Sequence, residues 1–221
     1  MSKNYFIKLF LKFGQEEHIK DLYENGTVFM NSIQFFRKYE DGGVRGDLYE
    51  GITKIKNYPS GDFEIKSLNF KGKYISLQVR EAYDTVLGNI YSLYCVSSFG
   101  FPNPLKFKVD SRLRNFGTHA LMIKDNPEFM ARIERKLQSL NLPYRHGFVR
   151  YYNKDKKNGE ITLFQKPTDF EYQKEFRFYV YRPNTDPLII NIGSLKGIAK
   201  IISTDDVINT LELKVKIPAI N

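Results

Sequence analysis

The sequence predicts an α+β fold, with a mixed, mostly antiparallel sheet and a few helices, and three observations carry that expectation. Phe (18) and Tyr (15) are abundant while Trp is absent, and aromatic side chains favour a pleated, half-buried surface. Most apolar stretches are short and bounded by Gly, Pro, Asn or Asp, as strands are. Only residues 125–140 show a long stripe with helical spacing. At 221 residues and 42% hydrophobic content the chain suffices for one folded domain, 1–221, with a proper core.

In chain order, "NYFIKLFLKFG" reads as a first strand, and "QEEHIKDLYENG" as a short helix with Ile19 and Leu22 three apart, closed by Asn25-Gly26. "TVFMNS" is a second strand and "IQFFRKYEDGG" a short helix ending in two glycines. From "VRGDLYEG" to "NYPSGD" the chain reads as polar and irregular, the longest loop and the first place to look for function. "FEIKSLNF" and "KYISLQVR" flank a turn at Lys71-Gly72 and predict a hairpin. "NIYSLYCVSSFG" is apolar enough for a central strand, which "FPNP" ends. "THALMIK" is another strand. "DNPEFMARIERKLQSL" is the best helix, capped by Asp125, with Pro127 in its first turn and a stripe of Phe129, Ile133, Leu137 and Leu140. The last third reads as the strands "GFVRYYN", "ITLF", "KEFRFYVYR", "PLIINIG" and "TLELKVKI", with a short helix "TDDVINT" before the last.

Charge and cysteine content narrow the classes. A net charge of +9 attracts polyanions and points to nucleic acid as a partner. The single Cys95, in apolar surroundings, excludes an internal disulfide and a multi-cysteine zinc site and reads as a buried, inert thiol. Lysines interrupt the opening segment, and no apolar run is of membrane-spanning length, so a cytoplasmic protein without membrane contact is expected. His18, His119 and His146 lack partners at ligand spacing, no G-x-S-x-G occurs, and no Gly-rich phosphate loop is present. "GDFEIK" places Glu64 and Lys66 two apart after Asp62, a loose match to a magnesium-dependent nuclease that any amphipathic hairpin would also show.

The most suggestive stretch is "FEYQKEFRFYVYR" (170–182). Gln173, Glu175 and Arg177 alternate with Phe176, Phe178 and Val180, so a strand there has an apolar face and a polar one. Gln and Glu two apart on a late strand resemble the Q/E-x-E element of ADP-ribosyltransferases of the arginine-serine-glutamate type, especially the DNA- or RNA-modifying enzymes of bacterial toxin and antiphage systems. The opening strand, helix and strand ("YFIKLF", "EEHIKDLYENG", "TVFMNS") resemble the start of that family, and "VSSFG" its serine element. Family members usually carry the arginine on the first strand, where this chain has Lys8 and Lys12. The segment 166–177 also resembles a "KP..F.YQKEFR" segment shared by uncharacterised bacterial proteins.

The transferase resemblance implies NAD as a substrate, no metal, and a toxin or antiphage role with a possible antitoxin protein. It implies Glu175 as the carboxylate that stabilises the developing ribosyl cation, and Gln173 as the residue that orients the acceptor. Arg45 would pair with the cofactor pyrophosphate, with Arg37 near enough to replace it. Ser97 and Ser98 would support the nicotinamide pocket, and Tyr49 or Phe99 would stack on the ring. Two other classes remain beside it: a non-catalytic nucleic-acid-binding module in which Glu175 only balances Arg177, and the nuclease.

Overall fold

The computed structural model describes residues 5–38 and 46–214. It is an α+β protein whose strand pairs are antiparallel except for one short parallel pair. The chain begins with β1 (Ile7–Gly14), α1 (Glu16–Asn25), β2 (Thr27–Ser32) and α2 (Ile33–Lys38), each starting where the sequence puts it, while the glycine pair expected to end α2 lies outside the described residues. Gly26 ends α1 at φ 72°, and a Cβ there would meet the Gly193 carbonyl at 2.1 Å, so both backbone and packing require glycine.

The segment expected to be irregular contains β3 (Ile52–Tyr58). Its inward residues Ile52 and Ile55 are buried, while the exposed Lys54 and Lys56 give the stretch the polarity of a loop. The predicted hairpin also forms differently. β4 (Gly61–Ile65) and β5 (Phe70–Tyr74) pair around a 3-10 turn at Lys66–Leu68, closed by Asn69 at φ 45°. Gly72 is inside β5, opposite Phe63, whose ring lies 2.5 Å from where a Cβ would stand. β6 (Leu77–Ala82) pairs with β3 instead.

Next come β7 (Asn89–Ser97), β8 (His119–Ile123) and α3 (Asn126–Ser139). The Asp125 side chain accepts from the Glu128 amide at 3.1 Å and caps α3. Phe129, Ile133 and Leu137 are fully buried, each contributing about 1.5–3 kcal/mol of hydrophobic stabilisation, while Leu140 lies past the helix end and is exposed.

β9 (Tyr144–Phe148), β10 (Arg150–Tyr152), β11 (Gly159–Glu160) and β12 (Gln165–Pro167) follow. The expected strand 161–164 is a turn, closed by the Gln165 amide donating to the Thr162 carbonyl and the Thr162 amide to the Gln165 side-chain oxygen, both at 3.0 Å. β13 (Glu175–Val180) starts after a 3-10 helix, Thr168–Gln173, and Lys174 at φ 40°. Gln173 therefore precedes the strand instead of alternating along it. β14 (Leu188–Asn191), β15 (Ala199–Ser203) and α4 (Thr204–Thr210) complete the description. Among the described residues the last strand is β15: of the predicted strand 210–217, Thr210 ends α4, residues 211–214 are in no strand, and 215–217 lie outside the described residues.

The large sheet runs β14-β2-β7-β1-β8-β15, with β13 and then β9 added on the other edge of β7. One face packs on α1 and α3 through Phe10, Tyr91, Leu93, Phe129, Ile133 and Phe178. The other packs Leu11, Tyr94 and Val96 on Leu113 and Val207. Opposite β13, β7 pairs with β2 only at Asn89 and Ile90 and with β1 only from Tyr94 onward. Residues 91–93 thus border a gap between β1 and β2. No helix among the described residues is long and apolar enough to cross a membrane.

Candidate functional site

Tyr91, Ser92 and Leu93, which border the gap, line a cleft of about 590 Å³. On one side its floor is charged: Glu50, Lys166, Gln173, Glu175 and Arg177 all line it. On the other it is bordered by α1, β2, Lys12 and Tyr91. Strand pairing sets this arrangement, because Glu175 lies opposite Tyr94 and Arg177 opposite Ser92, so these four side chains share one sheet face.

The charged groups form one chain of contacts. Lys166 Nζ donates to Glu175 Oε1 and to Gln173 Oε1, both at 2.8 Å. Arg177 Nη2 donates to Glu175 Oε2 at 3.1 Å, and the guanidinium clasps Glu50 through both terminal nitrogens at 2.8 and 3.1 Å. Arg177 Nη1 also reaches the Leu163 carbonyl at 2.6 Å. The turn at 161–164 thereby supplies an acceptor that a ladder-paired strand would not have free. Glu175 is only 6% exposed and Arg177 1%, which is rare for charged residues unless they are paired.

Burial opposes the ionised form of Glu175, but the Lys166 and Arg177 cations override it, and with a Ser92 hydrogen bond they hold the carboxyl well below the usual carboxylate range. Arg177 is likewise opposed by burial and held charged by Glu50 and Glu175. Asp47 behaves oppositely. Burial pushes its carboxyl up to about 6 against the pull of Lys166, its Oδ1 accepts from the Tyr49 amide at 2.8 Å, and its Oδ2 has no partner.

The residues expected in the site divide. Glu175 and Gln173 line the cleft, but Gln173 Oε1 accepts from Lys166 and its Nε2 donates to the Tyr172 hydroxyl, so its amide orients the lysine. Ser97, Ser98, Tyr49 and Phe99 do not line it. Ser97 is five residues beyond Ser92, about 17 Å along a strand, and its hydroxyl accepts from the Gly100 amide, while that of Ser98 accepts from the Phe6 amide. Tyr49 bonds Gln78 and lies under Arg80; Phe99 stacks on Phe148. Arg45 lies outside the described residues, and Arg37, bonded to the Tyr83 carbonyl, is not part of the wall.

Sequence reasoning missed the part played by Ser92, Glu50, Lys166 and Lys12. The available signals were a lone polar residue in the apolar "NIYSLYC", the acid in "DLYEG", and the lysine of the 166–177 segment. The nuclease candidates are elsewhere: Asp62 and Glu64 are on the exposed β4, and Glu64 faces Lys71 at 3.8 Å. Among the described residues no group of three or more His, Cys, Asp or Glu could hold a metal ion. Cys95 is buried, its thiol pushed up to about 12.

No protein-family model, no curated protein and no solved structure matches the chain.

Proposed function

We propose that the chain is an ADP-ribosyltransferase that moves ADP-ribose from NAD to a macromolecular acceptor, with nucleic acid as the acceptor class. The observation that carries the reading is Glu175, an ionised carboxylate held by Lys166 and Arg177 on the floor of a cleft with a charged lobe and an aromatic wall. Its volume, about 590 Å³, is within the range of small-molecule sites.

When the bond between nicotinamide and ribose C1′ breaks, its electron pair leaves with nicotinamide and positive charge develops on the ribose. A carboxylate that cannot take up a proton near neutral pH is suited to stabilise that charge and to accept a hydrogen bond from a ribose hydroxyl. A nucleophilic nitrogen or oxygen of the acceptor then bonds to C1′ and loses its proton to solvent. Lys166, Arg177 and Ser92 use three of the carboxylate's four lone-pair sites and leave one for a ligand hydroxyl. Tyr94 and Phe13 in the wall offer faces for the nicotinamide ring. The +9 charge supports a polyanionic acceptor, and a toxin or antiphage role with an antitoxin partner is part of the same proposal through the resemblance.

The test is nicotinamide release from NAD with DNA, RNA or cell extract present, comparing the wild type with Glu175→Gln shown to be folded by circular dichroism. Release should require an acceptor and fall about 100-fold or more in the variant. A wild-type protein that releases nothing with any acceptor sinks the reading.

A further inference from the structure

A second cavity, of about 440 Å³, shares the turn 161–164 with the charged floor. The Leu163 carbonyl accepts from Arg177, while Leu163 itself lines the cavity. Gly51 and Ile52, which follow Glu50 in the chain, line it too. β13 joins the two places directly. Glu175, Arg177 and Tyr179 alternate along one face of the strand, and Tyr179 lines the cavity about 7 Å past Arg177. The transfer chemistry proposed above uses none of the lining side chains.

The lining specifies a planar ligand with polar edges. Its base is apolar, with Ile52, Val86 and Leu163, and Leu163 and Tyr179 pack on the cluster around Val86. Its rim carries Tyr83 and Tyr181, which are 70% and 47% exposed. Large aromatic side chains left in water beside a cavity are platforms on which another ring can stack. Thr85 and Thr162, exposed on the same rim, add hydroxyls that both donate and accept, as the edge of a nucleobase requires.

Charge distinguishes a base carried by a strand from a free neutral ring. Arg37 Nη1 donates to the Tyr83 carbonyl at 2.6 Å, which holds one guanidinium against the rim. Arg145, exposed on β9, stands opposite Tyr179 in the ladder and so on the same sheet face. Asp84, exposed between Tyr83 and Thr85, is the carboxylate of that lining segment. Two guanidinium groups against one carboxylate, in a chain of net charge +9, favour a ligand that carries phosphates.

We infer that this cavity receives an unpaired base of a single-stranded nucleic acid, stacked on Tyr83 and Tyr181, with the adjoining phosphates held by Arg37 and Arg145. This deepens the reading of the protein as a transferase acting on nucleic acid and rests on it for its role, because the cavity holds the acceptor strand beside the charged floor. The binding itself requires no catalysis. A duplex keeps its bases paired and stacked and can offer one to the cavity only at an unpairing cost.

Fluorescence anisotropy with a labelled single-stranded oligonucleotide, as DNA and as RNA, tests this in the whole chain, using Tyr83→Ala, Tyr181→Ala and Tyr181→Trp. Wild type should bind the single strand more tightly than a duplex of the same sequence and than an abasic strand with the same phosphates. Each alanine variant should weaken single-strand binding about tenfold. Both should leave abasic-strand binding and the melting temperature unchanged, since the two side chains are exposed. Tyr181→Trp, which gives the chain its one tryptophan, should keep the affinity, and its fluorescence should be quenched by the intact strand and not by the abasic one. The inference is overturned if the wild type binds no single strand at low salt, if abasic and intact strands bind alike, or if both alanine variants bind as the wild type does. A free nucleoside monophosphate that quenches the tryptophan at the same concentration as the strand, or self-association lost in Tyr181→Ala, would give the cavity to a small ligand or a second copy and overturn it as well. Tyrosine-dependent strand binding in a protein that never releases nicotinamide would leave the base site standing and remove the transferase reading. Acceptor-dependent release with an unchanged acceptor KM in both alanine variants would do the reverse.

Discussion

Two short segments of this chain carry the same kind of charge pattern and meet opposite fates. In β4, Asp62 and Glu64 alternate with Phe63 and Ile65 and face Lys73 and Lys71 of β5 across the ladder. In β13, Glu175 and Arg177 alternate with Phe176 and Phe178. The hairpin is exposed on both faces, and even Phe63, Ile65 and Phe70 are 41–52% exposed. The β13 charges lie on the floor of the cleft, where Glu175 is 6% and Arg177 1% exposed, so almost all of their contact with water is lost. Alternation therefore locates faces but says nothing of which face is buried, and burial decides whether an ion pair has energetic weight.

The largest expected effect comes from breaking the buried set. Lys166→Met leaves Glu175 with one cation and Gln173 without its donor, and it should cost about 3–5 kcal/mol in urea denaturation. A double-mutant cycle between Lys166 and Glu175 should give a coupling of more than about 1 kcal/mol. A cost below about 1 kcal/mol for Lys166→Met would mean that the floor is solvated like the hairpin, and the contrast would collapse.

The sequence made the framework legible because local signals were strong. Gly26 after α1, Asp125 before α3 with Pro127 in its first turn, and the apolar run of β7 each have one good structural solution. The misses share a cause. In β3 Lys54 and Lys56, on either side of Ile55, point outward, and their polarity resembles that of a loop. Gly72 lies inside β5, where the Phe63 ring packs over it, and not in a turn. In the site, Glu175 could be read from its strand, but Glu50 lies 127 residues from Arg177 and Lys166 nine from Glu175, and no local pattern announces such pairings. The resemblance of "VSSFG" puts the serine element at Ser97 and Ser98, at the end of β7, whereas the serine that lines the cleft is Ser92, in the middle of β7 where the sheet is open.

A second, smaller effect separates two acids of the same neighbourhood by sign. Glu175 is held below its ordinary range, so its contribution to stability is complete above about pH 4.5 and is lost as pH falls below that. Asp47 is raised from 3.8 to about 6, so the fold favours its protonated form, and the protein loses stability as pH rises from about 4 through 6. Asp47→Asn, a mimic of the neutral acid that keeps an acceptor for the Tyr49 amide, should stabilise the protein at pH 8 by roughly 2 kcal/mol and have little effect at pH 4. Urea denaturation at the two pH values checks both halves. Destabilisation at pH 8 would show that Asp47 is ionised and needed by Lys166 or Arg177, so that the two acids would share one sign.

The smallest effect should come from the hairpin, and it makes the comparison sharp from the other side. Glu64 and Lys71 approach to 3.8 Å with side chains 44% and 74% exposed, so water screens each charge and ordering two long side chains offsets most of the attraction. Lys71→Met and Glu64→Gln should each change stability by no more than about 0.5 kcal/mol, and the double variant should be additive. A coupling above about 1 kcal/mol would mean that the ribbon is covered in solution, since only desolvation could give this pair such weight. The comparison between β4 and β13 would then concern two buried sites, and the hairpin would need a partner to bury it.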